Sequence, residues 1–514
     1  MFKKLLIANR GEIACRIIRT CEKMGIKTVA VYSEADAEGQ HVQMADEAYL
    51  LGGAAPRDSY LKKDKIIEIA LQSGAEAVHP GYGFLSESAP FAQGCQDAGI
   101  RFVGPSPQVI ENMGDKLQAR KMAKRAGVPV MPGSSKAIDD AHATDMAWSL
   151  GFPLMVKAAG GGGGIGIKII QSLEELESVV HQQRALAASA FGSSTLYFER
   201  YMEGASHIEV QVLGDEYGNL VHLMARDCSI QRRNQKIVEE SPATKLTDQQ
   251  RQRLWNYAVR FAKHVGYSNA GTIEFLVSPD GGMFFLEMNT RLQVEHGVTE
   301  MITGLDLVEL QLKVAAGEEL PIEQSDVQCT GHAIEARIYP EDPVTFLPVA
   351  GVIESYHVPS GKHVRVDSAL RPNYEVTTHY ESIIAKLICW GENREEARKR
   401  LLEALRVFRL EGIKCNIPLL SRVVGHPTFI GGAYHTDFLA SIGPELDGSH
   451  TNGEQTNGSH DKELASAIGT ALLISMSKGA MLGHDFGERG PGAWKEAGRR
   501  GQVINRALGS RTWR

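Results

Sequence analysis

Glu287-Met288-Asn289-Thr290-Arg291-Leu292-Gln293-Val294-Glu295 alternates along its whole length: each odd position is polar, each even position apolar or β-branched. Period-two alternation predicts a strand with one buried face. The upstream run Thr272-Ile273-Glu274-Phe275-Leu276-Val277 is also strand-like, and Pro279-Asp280-Gly281-Gly282 between them is strong turn chemistry. The two runs predict a hairpin. With the turn centred on Asp280-Gly281, facing residues have numbers of constant sum, and Glu274 lies opposite Glu287. Their Cβ atoms would be about 5 Å apart. Two carboxylates at that distance repel by roughly 3 kcal/mol even at an effective dielectric of about 20, so a neutralising group is needed. A divalent cation meets the need. Asn289 on the same face adds a third oxygen, and an all-oxygen set suits Mg²⁺ carrying nucleotide phosphates better than Zn²⁺. A solvated strand face, polar by default, is the alternative reading of the hairpin taken alone.

The chain has 514 residues, 43% of them hydrophobic, enough for about three packed units. A net charge of −7 gives no global attraction to nucleic acid or to a membrane surface. Cysteines at 15, 21, 95, 228, 329, 389 and 415 are odd in number and contain no Cys-x-x-Cys pair. That argues against a disulfide framework and against a structural zinc site. The apolar run after Met1-Phe2-Lys3-Lys4 is too short for a signal peptide, and no run approaches membrane-spanning length. A cytoplasmic protein is expected.

Residues 5–8 read as a buried strand, Glu12 to Met24 as a helix stopped by Gly25, and Thr28 to Tyr32 as a second strand, which is a βαβ opening. The loop Asn9-Arg10-Gly11-Glu12 has one glycine, so Glu34 and Asp36 after the second strand do not complete a dinucleotide fingerprint. The Gly/Pro loop His79 to Glu87, which contains Tyr82, follows a short strand, where open parallel sheets bind ligands. Further on, a strand from Pro153 to Ala159 carries Lys157 and runs into five consecutive glycines, Gly160 to Gly164, before another strand, Ile167 to Ile170. Glycine runs lose much backbone entropy on ordering and are expected where the main chain approaches a ligand closely or moves. No Gly-Lys-Ser/Thr follows, which excludes a Walker loop; a flexible hairpin tip is the neutral reading, and a mobile flap over phosphates, with Lys157 beneath it, is the functional one. Arg226 to Lys236 concentrates four cations just before the acidic hairpin.

Several of these segments together resemble biotin carboxylase, an ATP-grasp ligase, over residues 1 to about 443. The likeness rests on Met113-Gly114-Asp115-Lys116, Lys157 to Gly164, Arg226 to Lys236, Glu287 to His296, and Glu335-Ala336-Arg337-Ile338-Tyr339-Pro340-Glu341-Asp342-Pro343, in order. It implies an α/β (α+β) ATP-grasp fold with an N-terminal doubly wound βαβ domain (1–113), an ATP-grasp domain (114–329) with a mobile lid at about 130–204, and a mixed C-terminal domain (330–443). ATP would be bound by Lys116, Lys157, Gly163, Gly164, Glu199, Arg200, Met202, His207, Gln231, Asn234, Glu274 and Glu287. The metal, Mg²⁺ or Mn²⁺, would take Glu274, Glu287 and Asn289. Bicarbonate would meet Lys236, Arg291, Gln293, the Val294 backbone and Glu295, the last as general base. Biotin would face Tyr82 and Arg337. The sequence departs from the family pattern at Ile165, where a basic residue is usual, Arg200 for Lys, Asn234 for His, and Gly297 for Pro.

The implied partners are a biotin carboxyl carrier protein and a carboxyltransferase subunit, with a homodimer expected and neither nucleic acid nor membrane involved. The final acceptor could be an acyl-CoA such as acetyl-CoA or propionyl-CoA, or pyruvate or another keto acid. Another ATP-grasp ligase making a different acyl phosphate, or a non-catalytic nucleotide-binding regulator, are the rivals; the Arg291-to-Glu295 pocket speaks against the first, and the presence of Glu295, Arg337 and the metal carboxylates against the second. No Met-Lys-Met acceptor occurs, so the chain should not itself be biotinylated. Residues 444–461 read as a Gly/Asn/Ser/Thr-rich linker, and 462–514 as a tail with a short helix and a basic, tryptophan-bearing end.

Overall fold

Leu5, Leu6 and Ile7, all completely buried, fill the first strand, β1 (Lys4–Ile7), of the N-terminal unit. Helix Gly11–Met24 packs back on it through Ile13, Ile17 and Ile18. Each such side chain contributes about 1.5–3 kcal/mol on burial. Gly25 ends the helix at φ 70°, a left-handed conformation open to glycine because it has no Cβ. With β2 (Lys27–Ser33), β3 (Glu47–Gly52), β4 (Ala77–His79) and β5 (Arg101–Phe102), the unit forms a parallel sheet ordered β3-β2-β1-β4-β5. The order reverses at β1, and the loops after β1 and β4 are tied together there. Asn9 Nδ2 donates to the carbonyls of Pro80 and Tyr82 at 2.7 and 2.8 Å. Asp36 has no free oxygen for a ribose: it is held by Arg10 Nε at 2.6 Å, Arg10 NH2 and the Tyr60 hydroxyl.

The structure, a computed structural model, describes residues 1–160, 166–380 and 383–443. Gly163, Gly164, Ile165, the linker and the tail lie outside the described residues. Next in the chain comes a three-stranded antiparallel sheet of β6 (Leu154–Ala158), β7 (Ile167–Ile170) and β8 (Leu196–Arg200), ordered β7-β6-β8. It has its own core, built from Ile138, Leu154, Val156, Leu176, Val180 and Phe198. A unit that buries its own apolar face can move as a body.

The described residues that follow build one long sheet and two small ones. The first strands are β9 (Ser206–Gly214), β10 (Leu220–Arg232), β11 (Gln235–Ser241), β12 (Asn269–Val277), β13 (Met283–Asn289) and β14 (His332–Ile338). Then follow β15 (Gly351–Val352), β16 (Ser355–His357), β17 (Val364–Ser368), β18 (Glu375–Val376), β19 (Ala385–Gly391) and β20 (Arg409–Glu411). Eight of these form an antiparallel sheet ordered β13-β12-β9-β10-β11-β14-β19-β17, while β15 pairs with β18 and β16 with β20. The segment after residue 330 therefore extends the sheet begun before it. The core is shared as well, since Ile230, Ile237 and Val238 pack with Leu387, Leu401 and Leu420.

Three details differ from the sequence reading. Near the hairpin turn the pairs are Val277 with Met283 and Phe275 with Phe285, so the turn centres on Asp280 alone. A β-bulge then inserts one extra residue, Leu286, and restores Glu274 opposite Glu287. The strand also stops at Asn289 instead of continuing to Glu295. The Thr290 amide donates to Glu87 at 3.1 Å rather than to a ladder, and residues 290–295 run as a loop into helix His296–Thr303. Finally, the sequence predicts a helix from Glu395 to Leu410 that Asn393 could cap and Gly412 could stop; the helix, Arg394–Val407, is capped by Asn393, but Gly412 does not end it. Phe408 enters the core in extended conformation and the chain pairs as β20 first.

Candidate active site

One row of side chains runs across the sheet. Successive register partners place Glu287 beside Glu274, Glu274 beside Glu209, and Glu209 beside Arg226. Three carboxylates in a row are tolerable only with cations threaded between them. Lys116, the first residue of helix Lys116–Arg125, pairs with Glu287. His207 Nε2 lies 3.0 Å from Glu274. Lys236 Nζ reaches Glu209, Glu274 and Glu295 at 2.6, 2.9 and 2.7 Å. Arg226, completely buried, ion-pairs with Glu209 and gives its other donors to Gln211, Thr299 and Thr272.

Glu295 is the centre of the arrangement. It is fully buried, Oε1 bound by Lys236 and Oε2 by Arg337 NH2 at 2.9 Å. Burial pushes its carboxyl up, but Lys236, Arg337 and Arg226 outweigh that and hold it well below the usual carboxylate range. Glu274 behaves alike: burial raises it, and Lys236 and His207 bring it well below. Burial alone would lower Lys236, yet its three carboxylates hold the ammonium charged. Beside Glu295, Arg291 is anchored by Glu87 at 2.9 Å and also touches Asn289 and Gln293, each at 3.2 Å. Gln293 Nε2 donates to Glu274 at 3.2 Å. The Val294 carbonyl accepts from Lys386 Nζ at 3.0 Å.

On the lid side, Lys157 and Arg120 both ion-pair with the buried carboxylate of Glu199. The Lys116 amide donates to the carbonyl of Ala159 at 3.1 Å, which ties the end of β6 to the row below. Gln231 bridges to His207 Nδ1 at 2.9 Å. Asn234 sits at the tip of the two-residue turn between β10 and β11, where it and Arg233 have φ of 64° and 52°. That is the φ > 0 pair of a type I′ hairpin, a role that asparagine tolerates. Arg200 is exposed and Met202 half-buried, and neither makes a side-chain bond to the row. Tyr82 is buried in the loop after β4, its ring 5.8 Å from Lys386 Nζ and its hydroxyl without a hydrogen-bond partner among the described residues.

Sequence reasoning gave no role to Glu87, Glu209, Arg226, Glu239 or Lys386. Glu209 was findable, because His207, Glu209 and Gln211 alternate on one face of their strand. Lys386 was not, since nothing local links it to Val294, 92 residues away. The four cations of 226–236 are not one patch. Arg226 and Lys236 enter the row, Arg232 pairs with Glu341, and Arg233 is exposed at the turn.

The residues fit a magnesium ion. Glu274 and Glu287 face each other in register, Asn289 Nδ2 lies 2.9 Å from Glu274, and Lys116 and Lys236 carry compensating charge that a divalent cation would share. The donor set is all oxygen, as Mg²⁺ requires.

Profile models match three stretches: "Biotin carboxylase, N-terminal domain" over residues 1–110, "Carbamoyl-phosphate synthase L chain, ATP binding domain" over 115–323, and "Biotin carboxylase C-terminal domain" over 335–441. The chain is 51% identical over 442 residues to the biotin carboxylase of Halalkalibacterium halodurans, covering 86% of this chain and 98% of that protein. It is 49% identical over 441 residues to the 2-oxoglutarate carboxylase small subunit of Hydrogenobacter thermophilus, covering 85% and 93%. Among solved structures, it superposes on the biotin carboxylase domain dimer of the H. thermophilus 2-oxoglutarate carboxylase, crystallised with MgADP, ADP and bicarbonate. The TM-score is 0.85 at 48% identity, covering 87% of this chain and 99% of that one. A buried glutamate flanked by lysine and arginine beside an acidic hairpin, in a chain matched from end to end of its described residues, has one family to belong to: this protein is a member of the biotin carboxylase family.

Proposed function

We propose that the chain carboxylates biotin carried on a separate carrier protein, using ATP and bicarbonate and releasing ADP and phosphate. The observation that carries the reading is Glu295, held between Lys236 and Arg337 directly beside the Glu274–Glu287 pair. Lys116, Lys157, Glu199, Arg200, Met202, His207, Gln231 and Asn234 are assigned to ATP, with the lid at about 130–204 closing on it and Gly163 and Gly164 as its flap. Glu274, Glu287 and Asn289 would hold Mg²⁺, which when bound neutralises charge developing on the phosphates.

Lys236, Arg291, Gln293 and the Val294 amide orient bicarbonate for attack on the γ-phosphate, and Glu295 accepts the bicarbonate proton as ADP leaves. The shared cations tune this base. As Lys236 and Arg337 turn part of their charge to anionic substrates, Glu295 loses stabilisation and gains basicity. The carboxyphosphate so formed breaks to CO₂ and phosphate, the phosphate takes the ureido proton of biotin, and Arg337, with Tyr82 also assigned to biotin, stabilises the biotin enolate that attacks CO₂.

The carboxyl acceptor is left to a carboxyltransferase partner. Relatives near 50% identity bear names as different as biotin carboxylase, pyruvate carboxylase and 2-oxoglutarate carboxylase, so this part of the machinery does not choose the acceptor. A homodimer is proposed on the model of the H. thermophilus domain dimer. Glu295→Gln tests the assignment. Bicarbonate-dependent ATP cleavage should fall by about 10²-fold or more while the KM for ATP stays near that of the wild type. Near-normal turnover would remove Glu295 as the base.

A further inference from the structure

The Arg337 guanidinium divides its nitrogens between two carboxylates. NH2 donates to Glu295 at 2.9 Å, and Nε ion-pairs with Glu239 at 2.5 Å. Glu239, on β11, is completely buried, and among the described residues neither of its oxygens accepts a hydrogen bond. Directly across the ladder stands Glu335, equally buried and also without a hydrogen-bond partner. Facing side chains on adjacent strands have Cβ atoms about 5 Å apart, and two carboxylates that close do not both ionise readily. Arg337, two residues along the same face of β14 from Glu335, is the cation that Glu239 touches.

We propose, on the strength of the function given above, that Glu239 is a positioning residue for the biotin half of the reaction: it holds Nε of Arg337 so that the guanidinium keeps its place when Glu295 takes up the bicarbonate proton. Before that step Arg337 is anchored twice. Afterwards Glu295 is neutral, and its ion pair with Arg337 is reduced to a hydrogen bond from the charged guanidinium to an uncharged carboxyl. The ion pair with Glu239 survives because that carboxylate does not react. The charges cooperate in this. Burial, helped by the negative charge of Glu295, raises Glu239 to about 7 against the opposing pull of Arg337 and Lys236. Neutralising Glu295 therefore draws Glu239 toward its ionised form at the point where Arg337 must meet the enolate alone.

The test uses the purified full chain with free biotin as substrate, following ATP cleavage with and without biotin. In Glu239→Gln the KM for biotin should rise about tenfold and kcat at saturating biotin should fall about tenfold, while the KM for ATP stays within about twofold. Glu239→Asp keeps the charge and should recover most of the loss. A purely structural role would move the ATP and biotin constants together and would gain nothing from aspartate over glutamine. Parallel shifts of that kind, or biotin constants within twofold of wild type in Glu239→Gln, overturn the inference. A wild type without biotin-stimulated ATP cleavage would overturn the proposed function itself, so the two failures are distinct.

Discussion

At the scale of single residues, the protein manages buried charge by pairing every critical carboxylate with cations from distant parts of the chain. Glu240 shows what this contributes to stability. Burial pushes its carboxyl up, but His332 at 2.8 Å and Arg394 at 2.7 Å prevail and hold it at about 2. The folded value lies below the unfolded one, so the stabilisation is complete above about pH 4.5 and is lost as the pH falls toward 2. A displacement of this size corresponds to about 3 kcal/mol at neutral pH. Glu240→Gln should lower the denaturation midpoint at pH 7, and the gap from wild type should close as the pH is lowered from 5 to 2. A pH-independent gap would mean that the ion pair contributes through packing alone.

At the scale of elements, the lid strand β8 is held close to the chain entering the lid. A Cβ built on Gly133 would stand 2.5 Å from the Phe198 carbonyl and 3.2 Å from Cα of Glu199. Backbone cannot swing aside as a flexible side chain can, so Gly133→Ala must push β8 and carry Glu199 away from Lys157 and Arg120. Overpacking of this kind costs about 1–3 kcal/mol. A lower melting temperature together with several-fold weaker ATP binding, measured by calorimetry, is the expected result; unchanged ATP affinity would place Glu199 outside the nucleotide site. The glycine flap makes a separate prediction. On the proposed assignment of Gly163 and Gly164 to a flap over phosphates, ATP should protect residues 130–204 from proteolysis, and replacing both glycines with valine, which restricts φ and adds bulk, should abolish that protection.

At the scale of the whole molecule, the shared sheet sets what can be separated. β14 lies between β11 and β19, and Ile230, Ile237 and Val238 fill the core of the C-terminal segment. Residues 330–443 expressed alone should therefore lack cooperative unfolding, as circular dichroism during a thermal scan would reveal. No helix among the described residues is long and apolar enough to cross a membrane. The tail is different in kind. Between residues 488 and 514, Arg489, Lys495, Arg499, Arg500, Arg506, Arg511 and Arg514 face only Glu488 and Glu496, with Trp494 and Trp513 among them. Arginine and tryptophan are favoured interface anchors, so truncation after Gly443 should spare carboxylation of free biotin and weaken copurification with the carrier or transferase. Equal copurification would show that docking lies elsewhere.

The sequence by itself determined the parts whose causes are local. The βαβ opening followed from apolar runs and Gly25, and Glu274 opposite Glu287 followed from period-two alternation around a turn. The motif order carried the family. The tertiary structure decided whatever depends on contacts between distant strands. Alternation could not reveal that the strand ends at Asn289, because the competing partner for the Thr290 amide is Glu87, 203 residues earlier. Nor could it show that Glu295 is clamped by Lys236 and Arg337, that Glu239 shares Arg337, or that Lys386 holds Val294. Each of those facts is set by the register of a sheet whose neighbouring strands, such as β11 and β14, are nearly a hundred residues apart in the chain. Local pattern fixes which face a side chain takes, and only strand order fixes which charge it meets there.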